Sequence, residues 1–363
     1  MKKFKGALAA VLGLTMMFSL TACGGSSEPE QPEGETPDTE DVVEDDQEDT
    51  DEPGETKKVG VLIYNGADTY IATVRQALEE IAANDGTIEY EFVDGEDNQG
   101  TQTNQLDALI AKGVDGLLVN IVDFKAAPQV IETIKASGIP TVFFNRDITE
   151  DLDEADLDDM IFVGTDAPQA GVMQGDMAKE LWEAQKDVID RNGDGKVQYV
   201  MLHGGLDNAE AVARTEESIK VLTDAGIEVE ELGMQVAEWD TSRAKEAVDA
   251  WMSKDGDNIE IIFANNDDMA LGALAAVQAM GYNQDNDDKY IPIFGVDATS
   301  GALDKIDSGQ LEGTVKQDNV AMAETVTALI LNRMAGKDWL DGTPYELFED
   351  NKSVRVDYAK ITR

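Results

Sequence analysis

The sequence predicts an α/β protein of two lobes, each built on a doubly wound parallel sheet. Short apolar runs alternate with amphipathic helical stretches from Lys57 to the end of the chain. This alternation is typical of strand–helix units in parallel sheets. The chain has 363 residues, and the roughly 300 residues of the alternating region are enough for two sheets of ordinary size.

Six apolar runs are the clearest strands. Each is almost continuously apolar, as expected for strands that helices cover on both faces. They are Val59–Tyr64, Gly116–Asn120, Pro140–Phe144, Gln198–Leu202, Ile259–Phe263 and Ile291–Val296. Between them, apolar residues recur at spacings of three and four, which predicts helices over Asp68–Ala83 and Thr241–Met252.

Residues 1–22 have the layout of a secretory signal peptide. Three lysines among the first five residues precede the apolar run Gly6–Leu20, which is too short to span a membrane. Cys23, the only cysteine, follows directly after small residues, and this junction resembles the lipobox of bacterial lipoproteins. We expect cleavage before Cys23 and lipidation of its sulfur. An ordinary signal peptide followed by a chance cysteine is the alternative.

Residues 23–56 form an expected tether between the lipidated cysteine and the folded domain. Residues 24–56 contain 15 acidic side chains, no basic one and four prolines. Such a segment buries too little apolar surface to offset its ordering entropy, so we expect it to be disordered and extended. A partner-binding acidic tail is the alternative, although the segment shows no specific motif.

The charge balance restricts the partners of the chain. Its formal net charge is −47, and a strongly acidic protein repels phosphate backbones. We therefore expect no nucleic-acid binding.

Polar and aromatic side chains follow the predicted strands where those strands end. In doubly wound sheets, ligands bind outside the carboxyl ends of the strands. Planar carboxylate, amide and guanidinium groups pair well with hydroxyls, and flat rings pack on the C–H faces of a sugar. These residues, which predict a carbohydrate site, are Asp68, Tyr70, Asn145, Asn208, Glu210, Arg214, Trp239, Asn266, Asp267, Asp297, Gln317 and Asp318.

Several of these residues have simpler explanations. Asp68 could only cap the helix that begins there, Trp239 could lie at an interface between lobes, and Arg214 could pair with Glu210 or Glu217 on a solvated helix face. The sequence gives little support for an enzyme. Its only histidine could act as a catalytic base, but the sequence contains no motif for the nucleophile that such a base would activate. No acidic pair stands out as the pair that a glycosidase requires.

The segment Asp190–Gln198 resembles a calcium-binding loop. Side-chain oxygens stand at positions 1, 3 and 5, glycine at 6, a backbone carbonyl at 7 and glutamine at 9. Position 12 is Met201, where such a loop needs a glutamate. An Asx-rich surface turn is the alternative. The expected ligands are Asp190, Asn192, Asp194, the Lys196 carbonyl and Gln198.

From about Lys58 to Val356 the chain resembles the periplasmic galactose/glucose-binding protein family of bacterial ABC importers. The matching stretches are Ala111–Asp115, Val142–Asn145, Val163–Asp166, Asp190–Gly195, Ala264–Asp267, Phe294–Asp297 and Asp350–Arg355. The resemblance implies the type I periplasmic-binding-protein fold, with a sugar between two lobes joined by a three-segment hinge. It also implies structural calcium with Glu260 as the distant ligand. The implied lobes are residues 57–163 plus 319–348, and residues 164–318 plus 349–363.

The same resemblance assigns the site residue by residue. Tyr70 and Trp239 are expected to enclose the sugar ring, with Tyr70 in place of the usual phenylalanine. Three further positions depart from the family: Asn208 replaces histidine, Glu210 replaces aspartate and Gln317 replaces asparagine. The last two side chains are longer, so we expect a narrower cleft, and a pentose or another hexose remains open. Asp68, Asn145, Arg214, Asn266 and Asp297 match the family's hydroxyl-binding positions.

We therefore expect a monomeric, non-enzymatic lipoprotein that captures a monosaccharide and delivers it to an ABC permease. A sugar-sensing receptor subunit is the alternative. A LacI-type repressor shares the sugar-binding core, but it needs an N-terminal helix-turn-helix and a basic surface, where this chain has a signal and an acidic tether. We expect the outer face of a Gram-positive membrane, with a periplasm as the alternative.

Overall fold

The computed structural model describes residues 56–363, except residues 285–288. The predicted signal peptide, Cys23 and the tether up to residue 55 lie outside the described residues. Within the described part, no helix combines the length and apolar character that crossing a membrane requires.

The first lobe contains strands β1 to β5 and β11, with helices α1 to α3 and α9. Their bounds are β1 Lys57–Ile63, α1 Thr69–Asp85, β2 Ile88–Asp94, α2 Gln99–Lys112, β3 Gly116–Val119, α3 Ala127–Ser137, β4 Thr141–Phe144, β5 Met160–Thr165, α9 Asn319–Met334 and β11 Ser353–Val356.

The second lobe contains strands β6 to β10 and β12, with helices α4 to α8. Their bounds are α4 Ala167–Ile189, β6 Val197–His203, α5 Ala209–Asp224, β7 Val229–Val236, α6 Thr241–Asp255, β8 Ile261–Ala264, α7 Asp267–Ala279, β9 Ile293–Asp297, α8 Ser300–Asp307, β10 Gly313–Gln317 and β12 Tyr358–Thr362.

Among the described residues, each lobe has one six-stranded sheet. The strand orders are β11-β5-β4-β3-β1-β2 and β12-β10-β9-β8-β6-β7. This confirms the predicted class of two doubly wound sheets, although β12 runs antiparallel to β10 at one edge. The chain passes between the lobes after β5, after β10 and between β11 and β12, so three segments form the hinge.

The expected boundary between residues 348 and 349 is wrong. Strand β11 pairs in parallel with β5, with Ser353 opposite Phe162 and Val356 opposite Thr165. Residues 349–356 therefore belong with the first lobe, and the last passage lies near Asp357. The expected boundary after residue 163 falls inside β5. A four-residue edge strand carries no sequence signal for the sheet that it joins.

Both sheets are covered by apolar side chains on their two faces, as the continuous apolar runs predicted. In the first lobe, Phe143 and Phe144 are fully buried in different apolar clusters. In the second lobe, Met201 and Leu202 are divided in the same way. Successive strand residues point to opposite faces, so each strand is anchored on both sides and its carboxyl end is held rigidly.

The two lobes touch on both sides of the cleft between them. Thr69, at the start of α1, donates from its hydroxyl to Asp268 on α7 at 2.7 Å. Lys125 of the first lobe pairs with Asp207 of the second at 3.2 Å, and both side chains are exposed. These contacts are weak individually, so they leave the cleft free to open.

Candidate functional site

A cavity of about 40 Å³ lies between the lobes, at the carboxyl ends of both sheets. A wider cleft of about 760 Å³ shares Tyr64, Asp68 and Trp239 with it. The structure brings around the small cavity all ten residues that the family resemblance assigned to sugar binding: Asp68, Tyr70, Asn145, Asn208, Glu210, Arg214, Trp239, Asn266, Asp297 and Gln317.

Three of these residues also cap the helices that begin there. Asp68, Asn208 and Asn266 each accept a backbone N–H in the first turn of α1, α5 and α7. The capping explanation for Asp68 is therefore correct, and the same contact occurs at Asn208 and Asn266. One side-chain oxygen holds the helix end, so the rest of each planar group is fixed in orientation toward the cavity.

The wall formed by the first lobe is held by hydrogen bonds behind it. Asn120 is fully buried and donates from its amide to the side-chain oxygen of Asn145 at 3.0 Å. The Asn145 amide nitrogen is thereby oriented as a donor. Tyr64 donates its hydroxyl to Asp68, and the Arg146 guanidinium lies 4.4 Å from the Tyr64 ring centre.

The wall formed by the second lobe centres on Arg214, which is 3% exposed. Its NH1 donates to the Asn265 carbonyl at 2.7 Å, and its NH2 lies 3.2 Å from Glu210, 3.1 Å from Gln317 and 2.8 Å from the Tyr358 hydroxyl. The interpretation of Arg214 on a solvated helix face is therefore wrong: its pair with Glu210 is buried.

The acidic side chains of the cavity are desolvated. Burial raises the pKa of Asp68, and it raises that of Asp297 well above the ordinary value, although Arg214 acts to lower the latter. A carboxyl group with a raised pKa is easier to protonate, and it can then donate as well as accept hydrogen bonds. Burial acts to lower the pKa of Arg214, but its neighbours Tyr358, Glu210 and Asp297 raise it overall, so it stays charged.

Four residues that line the cavity carry a buried polar atom with no hydrogen-bond partner among the described residues. These atoms are the Tyr70 hydroxyl, Arg146 Nε, Arg214 Nε and Gln317 Nε2. A buried polar group without a partner costs about 1–3 kcal/mol. Because all four can donate hydrogen bonds, a ligand rich in oxygen atoms would satisfy them.

The backbone is strained at three residues of the site. The φ angles are 63° at Asn145, 63° at Trp239 and 121° at Asp297, values that non-glycine residues seldom adopt. Such strain concentrates at functional sites, where the surrounding structure imposes it. The Trp239 ring also covers Gly204 closely, since a β-carbon at Gly204 would lie 2.3 Å from the ring.

Three polar residues at strand ends do not line the cavity. Asp267 is buried and accepts from the Thr299 amide at 2.7 Å and the Thr314 hydroxyl at 2.6 Å. Asp318 caps α9. His203 accepts the Gly205 amide on its Nδ1, and burial lowers its pKa. These side chains hold the loops around the cavity in place.

The chain matches the model of one protein family. The family described as "Periplasmic binding protein domain" matches residues 59–338, which include most of both lobes. The chain belongs to the periplasmic binding protein family.

Two curated relatives of this periplasmic binding protein carry sugar- or polyol-binding names. The D-galactose/methyl-galactoside binding periplasmic protein MglB of Haemophilus influenzae is 38% identical over 307 residues, which cover 84% of this chain and 89% of the relative. The xylitol-binding protein of Mycolicibacterium smegmatis is 26% identical, with coverage of 87% and 84%.

A solved structure has the same fold. It is an ABC transporter solute binding protein from Bacillus halodurans C-125 with bound myo-inositol, 26% identical to this periplasmic binding protein with a TM-score of 0.68. The similarity covers 85% of this chain and 95% of the other. The comparisons confirm the family that the sequence motifs indicated.

Sequence reasoning missed several residues of the site. Tyr64 and Arg146 line the cavity, and their signal was present: Tyr64 ends the first apolar run and Arg146 directly follows Asn145. Thr165 and Tyr358 contact Glu210 from behind. Nothing in the sequence placed Tyr358 there, because its position depends on the third passage between the lobes.

The predicted calcium loop is compact in the structure. Asp190 accepts the backbone amides of Asp194 and Gly195 at 3.0 and 2.9 Å. Glu260 lies against the loop and accepts the amides of Arg191 at 2.7 Å and Gln198 at 3.1 Å. Met201, at loop position 12, is buried in β6, so only a distant residue such as Glu260 can complete the set.

Among the described residues, the carboxylates of Asp190, Asp194 and Glu260 do not form a metal-binding group by themselves. In the part of the chain that the structure describes, no three histidine, cysteine or acidic side chains are placed to hold a metal ion. The Gln198 side-chain oxygen, however, is buried without a hydrogen-bond partner in the same described region. Calcium takes amide and carbonyl oxygens together with carboxylates.

Proposed function

We propose that this periplasmic binding protein is the solute-binding component of a sugar ABC importer. It captures a monosaccharide or a related polyol in the cavity between its lobes and delivers it to a permease, and it performs no chemistry. The proposal rests on four unpartnered donors, which belong to residues that line one cavity: Tyr70, Arg146, Arg214 and Gln317.

The composition of the cavity supports a neutral polyhydroxylated ligand. Arg214 is paired with Glu210 within the wall, so this cation is not free to pair with an ionic ligand. Amide and carboxyl groups offer donors and acceptors side by side, which suits hydroxyls that do both. Galactosides, xylitol and myo-inositol belong to this class of ligand. They are the ligands for which two relatives are named and which one similar structure contains.

Opening and closing of the lobes is part of the proposed mechanism. Residues of both lobes wall the small cavity, so a sugar enters it while the lobes are apart. Contacts with both lobes then favour the closed state by the difference in affinity between the two states.

A thermal-shift panel tests this function. Aldoses, pentoses and polyols, including galactose, glucose, ribose, xylitol and myo-inositol, are added singly to the protein. We expect one of them to raise the melting temperature strongly, because a ligand at about 100 times its Kd stabilises the native state by about 2.7 kcal/mol. Indifference to every compound, or turnover of an aryl glycoside, would refute the proposal.

We also propose that the Asp190–Gln198 loop binds one calcium ion. Asp190, Asn192, Asp194, the Lys196 carbonyl, Gln198 and Glu260 would hold it, and it would fix the connection between α4 and β6. The unpartnered Gln198 oxygen and the position of Glu260 against the loop support this assignment.

Removal of calcium is expected to lower the melting temperature, and added calcium is expected to restore it. A Glu260→Gln variant should lose this response, because Glu260 is the one proposed ligand that lies outside the loop and its substitution removes a carboxylate. Calorimetry should give one site per chain. Asp304→Asn, an exposed acid on α8, controls for nonspecific attraction of calcium by a chain of net charge −47. An identical response to EDTA in the Glu260→Gln variant would contradict the site.

Attachment through a lipid on Cys23 is the last part of the proposal. A diacylglycerol group carries two chains, enough for stable anchoring. Metabolic labelling with a fatty acid should mark the native chain, and a Cys23→Ser variant should remain unlabelled and leave the membrane fraction.

A further inference from the structure

Each of the three passages between the lobes contributes one polar side chain to the same buried cluster. Thr165 ends β5 before the first passage, Gln317 ends β10 before the second, and Tyr358 begins β12 after the third. Together with Glu210 and Arg214 we call these residues the hinge cluster. All five side chains are buried.

The Tyr358 hydroxyl is the centre of this cluster. It accepts from Arg214 NH2 at 2.8 Å and lies 2.9 Å from Glu210 Oε2 and 2.8 Å from the Thr165 hydroxyl. The Thr165 hydroxyl in turn donates to Glu210 Oε1 at 2.7 Å. A tyrosine has one hydroxyl proton, so Tyr358 donates either to Glu210 or to Thr165, but not to both at once.

The cluster shares its atoms with the ligand cavity. Glu210, Arg214 and Gln317 line the cavity, whereas Thr165 and Tyr358 do not. Arg214 NH2 has two protons and three acceptors within reach, on Glu210, Gln317 and Tyr358. A ligand oxygen that contacts Arg214 therefore redistributes hydrogen bonds that end on the second and third hinge segments. Glu210 and Tyr358 connect these bonds to Thr165 of the first segment.

We propose that Tyr358 is a positioning residue that links occupancy of the cavity to the hinge. Its hydroxyl holds Arg214 and Glu210 in the arrangement that receives the ligand, and it ties that arrangement to the first and third segments. The inference rests on the proposed function for its ligand, but the link between Tyr358 and the hinge can also be measured in the absence of a ligand.

The test compares Tyr358→Phe with Tyr290→Phe. Tyr290 is a matched control, because its hydroxyl donates to Glu312 at 3.0 Å in the same lobe and it does not line the cavity. Both variants are made in the full chain carrying Cys23→Ser, since Cys23 is the only cysteine. Spin labels are placed on cysteines that replace exposed Glu132 on α3 and Glu246 on α6, one per lobe.

Two readouts decide the proposal. Tyr358→Phe should weaken the affinity for the sugar found in the panel about tenfold or more, the loss typical of a hydrogen bond to a charged group. It should also shift or broaden the distribution of distances between the lobes without ligand. Tyr290→Phe should change neither. A weaker affinity with an unchanged distribution would overturn the link to the hinge.

If the parent chain binds no sugar, the proposed function fails, and the ligand-free distance distribution alone decides the role of Tyr358. If Tyr358→Phe does not fold, Thr165→Val removes the other end of the same connection and is measured in the same way. Distributions identical to those of the parent and of Tyr290→Phe would overturn the inference.

Discussion

A Trp239→Ala variant is expected to bind its sugar at least about a hundredfold more weakly while it keeps its fold, since buried tryptophans are frequent centres of binding energy. The Trp239 ring is half-buried and packs against the core of the second lobe, so its removal should lower the melting temperature but leave the fold in place. It also removes the flat wall that packs on the C–H faces of a sugar ring. Titration calorimetry gives the affinity, and circular dichroism checks the fold.

Trp251→Ala is the matched control for this experiment. Trp251 is also half-buried in the second lobe and packs beside Gly233 of β7, but it does not line the cavity. Its truncation should lower the melting temperature and leave the sugar affinity unchanged. Full affinity in Trp239→Ala would show that the sugar binds elsewhere.

An Arg214→Met variant is expected to lose sugar binding and about 3–5 kcal/mol of stability, the usual cost of leaving one member of a buried ion pair alone. Methionine fills similar space but leaves Glu210 without its cation and the Asn265 carbonyl without its donor. Urea denaturation without ligand measures the loss in stability, and calorimetry measures binding.

The double variant Arg214→Met with Glu210→Gln separates the two effects. Removing the stranded charge should recover part of the stability but none of the sugar affinity. Arg75→Met serves as the control, because Arg75 pairs with Glu79 at the surface and such pairs contribute at most about 1 kcal/mol. Stability equal to the parent in Arg214→Met would contradict the buried network.

Local patterns in the sequence were enough to predict the lobes and most of the site. Strands covered on both faces need continuous apolar runs, and these runs can be recognised in the sequence alone. The rule that ligands bind at the carboxyl ends of parallel strands then selected Asp68, Asn145 and Asp297 as candidates. The structure places them around one cavity with seven of the other nine candidates, whereas Asp267 and Asp318 lie outside it.

The predicted calcium loop shows what a local pattern cannot predict. The spacing of Asp190, Asn192 and Asp194 is visible in nine consecutive residues, but Glu260, which is proposed to complete the ligand set, lies far along the chain. Only the family resemblance suggested Glu260. The structure brings Glu260 against the loop because the strand that follows it, β8, pairs with β6.

Features that depend on neighbours in the chain were therefore predictable: the apolar runs of the strands, the polar residues at their ends, the signal-like first segment and the calcium-loop spacing. Three features became evident only in the structure: the pairing of β11 with the first sheet, the burial of Arg214, and the meeting of Thr165, Gln317 and Tyr358 behind the cavity. These features arise where distant segments come together, and their energies depend on burial and hydrogen-bond geometry that no local pattern encodes.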